Sequence, residues 1–181
     1  MPVAEDVSGG NFAGFSVSAA GVLAYRSRNE GAEFRLVWYT RTGQQVSGTV
    51  DVARGYIDIH LSRDGTRVAA SIPDASGTRD LWLFDLVRGQ KTRFTFEAAS
   101  EGDGIWSPDG TRIAFSSTRN GPADIYQKPA SGAAAEELLL ADAFDKRPVS
   151  WSPDGRYILF LKGRGLTFQG TGSTWDLLRG P

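Results

Sequence analysis

Residues able to do bond-making chemistry are few in this chain, and their spacing does not assemble a reactive centre. There is one histidine, His60, a single methionine and no cysteine among 181 residues. Residue type alone therefore excludes disulfides, thiolate nucleophiles, Cys-ligated metals and His-rich metal sites. A serine hydrolase needs Gly-x-Ser-x-Gly at a strand-to-helix turn, and the nearest approach, Gly14-Phe15-Ser16-Val17-Ser18, lacks the closing glycine. The stretch Gly163-Arg164-Gly165 to Gly170-Thr171-Gly172-Ser173 has the glycine content of a phosphate loop. It has neither the lysine after the second glycine nor a helical pattern behind it, so it reads as a hairpin extension. No spacing of acids and histidine matches a metal-ligand set, and no catalytic residue and no cofactor are expected.

Charge narrows the partners. Twenty basic residues stand against 21 acidic ones, for a net charge of −1. A nucleic-acid binder would carry a strongly basic face, so none is expected as partner. The sequence holds no run of about 18 apolar residues and no basic-then-apolar leader, which argues against direct membrane insertion and against an export signal.

The carboxylates follow a pattern that belongs to architecture. Ser107-Pro108-Asp109-Gly110 returns 45 residues later as Ser152-Pro153-Asp154-Gly155, each preceded by tryptophan, Trp106 and Trp151. Ser62-Arg63-Asp64-Gly65 lies 45 residues upstream, and a weaker Ser18-Ala19-Ala20-Gly21 a further 44. Ser-Pro-Asp-Gly suits a turn in which proline sets φ at the second position, aspartate caps locally and glycine takes positive φ. Ser62, Asp64, Gly65, Ser107, Pro108, Asp109, Gly110, Ser152, Pro153, Asp154 and Gly155 are accordingly structural. His60 sits where other copies carry Ser16, Ile105 and Ser150, so it too reads as a repeat position.

After each turn comes an apolar run: Val22-Leu23-Ala24-Tyr25, Val68-Ala69-Ala70, Ile113-Ala114-Phe115 and Ile158-Leu159-Phe160. Consecutive apolar positions fit a short strand covered on both faces. A second strand landmark follows at Arg35-Leu36-Val37-Trp38-Tyr39, Asp80-Leu81-Trp82-Leu83-Phe84 and Asp124-Ile125-Tyr126. In the last copy it falls at Trp175-Asp176-Leu177-Leu178, displaced by the glycine-rich insert. Fourth strands are expected at 92–96 and 137–140. Four-stranded units repeated every 45 residues predict an all-β chain, a β-propeller segment of about four antiparallel blades with the last incomplete. The units run approximately over 12–52, 56–96, 104–140 and 148–181, as one segment. A sandwich or barrel would not reproduce its turn chemistry at a constant interval.

Charged residues outside the repeat's own requirements are the candidate contacts: Glu97, Glu101 and Asp103 before the third unit, and Asp142, Asp145, Lys146 and Arg147 before the fourth. They lie in equivalent connections between the last strand of one blade and the first of the next. That places them on one rim, where repeat proteins commonly bind.

The unit from Trp106 through Ser117 to Asp124-Ile125-Tyr126 resembles the WD-repeat-like propeller repeats of the TolB type, and the resemblance covers essentially the whole chain. More narrowly, Phe94-Thr95-Phe96, Tyr126-Gln127-Lys128-Pro129-Ala130-Ser131-Gly132 and Glu136-Glu137-Leu138-Leu139-Leu140 are similar to the C-terminal propeller regions of bacterial, particularly acidobacterial, receptor-type serine/threonine kinases. Similar blades precede the catalytic domain of prolyl-oligopeptidase-like enzymes. The resemblance implies six or more blades in the parent, hence a fragment here, and a binding or sensing platform for a protein or peptide, in an extracytoplasmic setting. No kinase signature accompanies it. The alternative reading is the substrate-filtering propeller portion of a peptidase. An open array of four blades leaves two uncovered faces of roughly 300 Å² each, from strands about 4.8 Å apart, so end-to-end self-association is expected.

Overall fold

A computed structural model describes residues 15–17, 23–28, 34–40, 42–53, 55–165 and 174–179, with side chains described for 37–40, 42–46 and 55–165. The weak first turn at Ser18 to Gly21, much of the glycine-rich insert and the final Gly180-Pro181 lie outside these residues. Among the described residues fifteen strands form four antiparallel sheets, each strand pairing with its sequence neighbour. The first sheet contains β1 (Phe15–Val17), β2 (Leu23–Arg28), β3 (Phe34–Tyr39) and β4 (Gln45–Ala53). The second contains β5 (Ile59–Leu61), β6 (Arg67–Pro73), β7 (Arg79–Asp85) and β8 (Gln90–Arg93). The third contains β9 (Glu101–Trp106), β10 (Arg112–Ser117), β11 (Asp124–Pro129) and β12 (Glu137–Leu140). The fourth has three strands among the described residues: β13 (Asp145–Trp151), β14 (Tyr157–Gly163) and β15 (Thr174–Arg179). This is the expected all-β propeller segment with an incomplete last blade. The pairing of Leu159 with Leu177 and of Leu161 with Trp175 shows that the insert displaces the third strand without removing it. No helix of the described residues is long and apolar enough to cross a membrane.

The consecutive apolar runs are explained by what lies on either face. Side chains alternate along a strand, and in β6 they divide between two cores. Val68 and Ala70 pack with Tyr56, Ile59, Leu61 and Phe84 toward the first blade, whereas Ala69 packs with Leu81, Phe94, Trp106 and Phe115 toward the third. Blades 3 and 4 share a further core of Ile105, Ala114, Ile125, Ile158 and Phe160. Close approach has a local cause at Gly104, where a Cβ would lie 2.8 Å from a methyl of Leu81. Only glycine lets the innermost strand of blade 3 press this closely on blade 2.

The Ser-x-Asp-Gly turns share one hydrogen-bond scheme. The hydroxyls of Ser62, Ser107 and Ser152 donate to the following aspartates at 2.6, 2.6 and 2.5 Å. Each also accepts the amide N–H five residues on, at 2.9 Å in all three turns. The N–H of Gly65, Gly110 and Gly155 closes the turn on the serine carbonyl, with φ of 74°, 68° and 74°. Arg63 replaces proline without altering the scheme, so serine, aspartate and glycine define the turn. These bonds favour ionised aspartate: the Ser107 hydroxyl, followed by the amide and hydroxyl of Thr111, holds Asp109 at about 2, below its ordinary 3.8. A carboxyl depressed on folding contributes its stabilisation fully above the unfolded value and loses it as pH falls through the folded one. Asp109→Asn should therefore lower the urea midpoint at pH 7 and flatten the acid-side loss of stability between about pH 4 and pH 2 relative to the parent chain. Urea titrations across that range check it.

Candidate functional site

Asp58 just before β5, Asp103 in β9 and Arg147 in β13 form a buried column of charge. Asp103 sits at an irregularity in β9, where the pairing jumps from Gly102–Ser116 to Ile105–Ala114, so Asp103 and Gly104 together oppose Phe115. Its φ of 55° makes it the one non-glycine residue with positive φ among those described, a conformation that aspartate tolerates better than most residues. The bulge turns the backbone N–H of Asp103 onto Asp58 Oδ2 at 2.5 Å. Its carboxylate faces the opposite way, to Arg147 Nε at 2.9 Å and to an Nη of Arg147 at 2.5 Å, with the Ser116 hydroxyl donating at 2.7 Å. Asp58 in turn accepts the N–H of Ser71 at 2.9 Å. Residues from blades 2, 3 and 4 are thereby joined in one relay.

Electrostatics within the column are uneven. Burial raises the Asp58 carboxyl above its ordinary value, and the Asp103 charge beside it adds to the rise. Burial pushes Asp103 upward as well, but the hydrogen bonds and charge of Arg147, helped by Ser116, bring it below the ordinary carboxylate range. Arg79 is drawn down by burial, an effect opposed by the charges of Asp103 and Asp58.

Two further clusters bracket this column at the start of the inner strands. Lys146 is fully buried. Its Nζ lies 2.8 Å from Asp124 Oδ1, 3.0 Å from Asp142 Oδ1 and 2.6 Å from the Phe144 carbonyl. Lys162 closes the other oxygen of Asp142 at 2.8 Å, and its hydrogen bond is the leading cause of a strongly lowered Asp142 carboxyl. Around blade 3, Arg119 pairs with both Glu101 and Glu136 and lies 4.2 Å from the centre of the Tyr126 ring. Burial raises Glu101 despite the hydrogen bond from Thr95 and the charge of Arg119.

Of the seven residues singled out from sequence, only Glu97 and Asp142 lie in the connections between blades; Glu101 and Asp103 fall within β9 and Asp145, Lys146 and Arg147 within β13, because the innermost strands begin earlier than the expected units did. Glu101, Asp103, Lys146 and Arg147 are buried, and their charged heads join neighbouring strands and blades. Asp145 accepts the N–H of Ala123 at 2.9 Å. Glu97 and Asp142 retain exposed surface, Glu97 standing 3.9 Å from Arg119. Asp58, Ser116, Arg119 and Glu136 were not singled out. The signal for Asp58 was present, since it precedes Asp103 by 45 residues.

The other end of the inner strands, where the Ser-x-Asp-Gly turns lie, is open. A cleft of about 430 Å³ is lined by His60, Arg63, Ile105, Trp106, Val149 and Trp151, among others. An adjoining cleft of about 510 Å³ continues over Pro108, Asp109, Arg112, Pro153 and Asp154. A third, of about 390 Å³, lies at the edge between blades 2 and 3 against Phe94, Phe96, Arg93 and Lys128. The first two offer mixed aromatic, proline and polar walls suited to a chain segment. Among the described residues no group of three or more histidines, cysteines or acids converges as a metal site would require.

Comparison with known proteins follows the same architecture. The family model of the TolB beta propeller domain matches residues 20–173. The uncharacterized peptidase YuxL of Bacillus subtilis is 31% identical over 130 residues, covering 68% of this chain and 19% of its own. A putative TolB from Agrobacterium tumefaciens superposes with a TM-score of 0.81 at 20% identity, over 93% of this chain and 61% of that one. The propeller domain of the Trilobed protease from Pyrococcus furiosus, described as having an open velcro topology, gives 0.63 at 14% identity over 92% and 53% of the two chains. The chain thus spans under two thirds of each of these proteins.

The column generates a stability expectation. Arg147→Ala leaves buried Asp103 without its two-pronged partner, with only the Arg79 charge nearby, which should cost about 3 kcal/mol. Arg147→Lys, which keeps the charge but loses the two-pronged contact, should fall between the variant and the parent. Equilibrium denaturation of the three chains measures both.

Proposed function

Because the chain belongs to the TolB β-propeller domain family, we propose that it acts as a non-catalytic module presenting one end of its inner strands to a protein or peptide partner. The observation that carries this reading is the division of labour between the two ends. At the strand starts most of the charged residues are held in buried ion pairs. At the turn end two adjoining clefts expose proline, aromatic and basic groups on a rigid frame. Glu97, Asp142 and Asp145 supply the secondary contacts at the strand starts.

The parent protein enters as part of the proposal. The similarity of 94–96 and 126–140 to receptor-type kinase propellers supports a sensing role outside the cytoplasm for a longer bacterial chain of which this is a segment. A second reading, the substrate-filtering propeller of a prolyl-oligopeptidase-like hydrolase, is favoured by similarity to an uncharacterized peptidase and to two tricorn protease homologues. Both readings assign the same task to these blades.

The test is a peptide array probed with the purified chain, followed by mass spectrometry of the bound peptides. Saturable binding with peptides recovered intact is the expected outcome. Cleaved peptides, or no binding at about 1 mM, a level too weak to be specific, would overturn the reading.

A further inference from the structure

The junction between blades 3 and 4 lacks a contact that the junction between blades 2 and 3 makes. At the latter, the Trp106 indole N–H donates to the His60 carbonyl of the preceding blade at 2.9 Å. Arg67 covers the ring, its guanidinium carbon 4.5 Å from the ring centre, and is itself anchored to the Gly110 carbonyl at 2.8 Å. One junction later, each part is present by spacing and engaged elsewhere. Trp151 donates its N–H to Gly155 of its own turn at 3.0 Å. Arg112, the counterpart of Arg67, pairs with Glu137 at 3.0 Å. The counterpart of His60 is Ile105, which pairs with Ala114 as His60 pairs with Ala69. Its carbonyl has the same direction and receives no side-chain donor among the described residues. The two adjoining clefts occupy this place.

We propose that this cleft binds an acidic peptide segment carrying a tryptophan or tyrosine, a substrate class that rests on the binding-module reading above. The blade 2–3 junction shows which chemistry fits: a flat ring faced by a guanidinium, with a polar hydrogen directed to an inner-strand carbonyl. Trp151, Pro108 and Pro153 supply the walls and the Ile105 carbonyl the acceptor. Arg63 decides the charge of the ligand. It stands at the proline position of the blade 2 turn, lines both clefts, is exposed and makes no ion pair among the described residues. Asp109 and Asp154 line only the adjoining cleft, so the acidic segment is seated in the first cleft, which holds Arg63, Ile105, Pro108, Trp151 and Pro153 and no carboxylate. Arg112 is neutralised by Glu137, which leaves Arg63 to receive a carboxylate flanking the ring.

Calorimetric titration of the full 181-residue chain with the blocked hexapeptide Gly-Glu-Glu-Trp-Glu-Gly tests the proposal. Binding should be about tenfold tighter or more than for the same peptide with alanine in place of tryptophan, in keeping with the energy of a stacked, hydrogen-bonded ring. Trp151 also packs against the shared core of blades 3 and 4, so Trp151→Ala is not the safest variant. Arg63→Glu lies on an exposed turn and leaves the core intact. It should weaken the acidic peptide by about tenfold or more and reverse the preference toward a lysine-flanked peptide. Equal affinity for the tryptophan and alanine peptides, or an Arg63→Glu chain that binds as the parent does, overturns the proposal. If array peptides of other chemistry bind while this one does not, the cleft assignment fails and the module reading stands. If no peptide binds, both fail.

Discussion

Asp103 is the residue on which three blades depend. Its backbone donates to Asp58 of blade 2 and its side chain receives Arg147 of blade 4, so its position ties both neighbours to blade 3. The irregularity in β9 makes this possible, because a regular strand would direct the amide and the carboxylate into the β9–β10 ladder or the apolar core. Glycines on either side permit it sterically: a Cβ at Gly102 would meet the Ser71 hydroxyl at 3.0 Å, and one at Gly104 would meet Leu81. Apolar packing alone would allow neighbouring blades to slide, since the cores between them contain few directional contacts. A buried charge satisfied in only one arrangement removes that freedom, and fixing the register of blades is the role we assign to the relay.

Much of this architecture was legible in the sequence, for a physical reason. A turn that needs serine, aspartate and glycine together leaves a residue-level mark wherever it occurs, and a strand buried on both faces leaves an unbroken apolar run. The place of the third strand of blade 4 beyond the insert followed from the same pattern. The environment of the charged residues was not legible. Spacing showed that Glu101 and Lys146 occupy equivalent positions 45 residues apart, but it put them in connections where the structure has inner strands, and equivalence in a repeat says nothing of depth. Glu101 is buried because Arg119 reaches it from the end of β10, and Lys146 because Asp124, Asp142 and the Phe144 carbonyl surround its ammonium group. Those partners come from other strands and loops, at separations that no local pattern encodes.

The ion pairs also determine which surfaces are open to recognition. A carboxylate already facing lysine and arginine offers little to a partner, because a new contact must first replace an existing one. Lys146 and Arg147, charged and near a rim, are engaged in this way. At the turn end the inner strands finish in hydrogen-bonded loops whose polar atoms face inward to their own backbone. That leaves Pro108, Pro153 and Trp151 as walls and Arg63 as an uncommitted charge. A rigid scaffold with little freedom to lose on binding is the arrangement in which such a modest surface becomes useful.

In a repeat protein, departures from the repeat mark where other demands act. Positions that match across blades are explained by folding alone, as with the three aspartates that hold identical turns. Arg63, in place of proline, does nothing for its turn that proline does not do in the next two. Trp151 keeps its residue type yet forgoes the bond that Trp106 makes to the preceding blade. Arg112 keeps its type yet faces Glu137 instead of an indole. These three departures are scattered over three blades in sequence, and they meet at one pair of clefts in space. Folding requirements account for each residue's presence but not for their convergence, and a ligand held at that junction accounts for both.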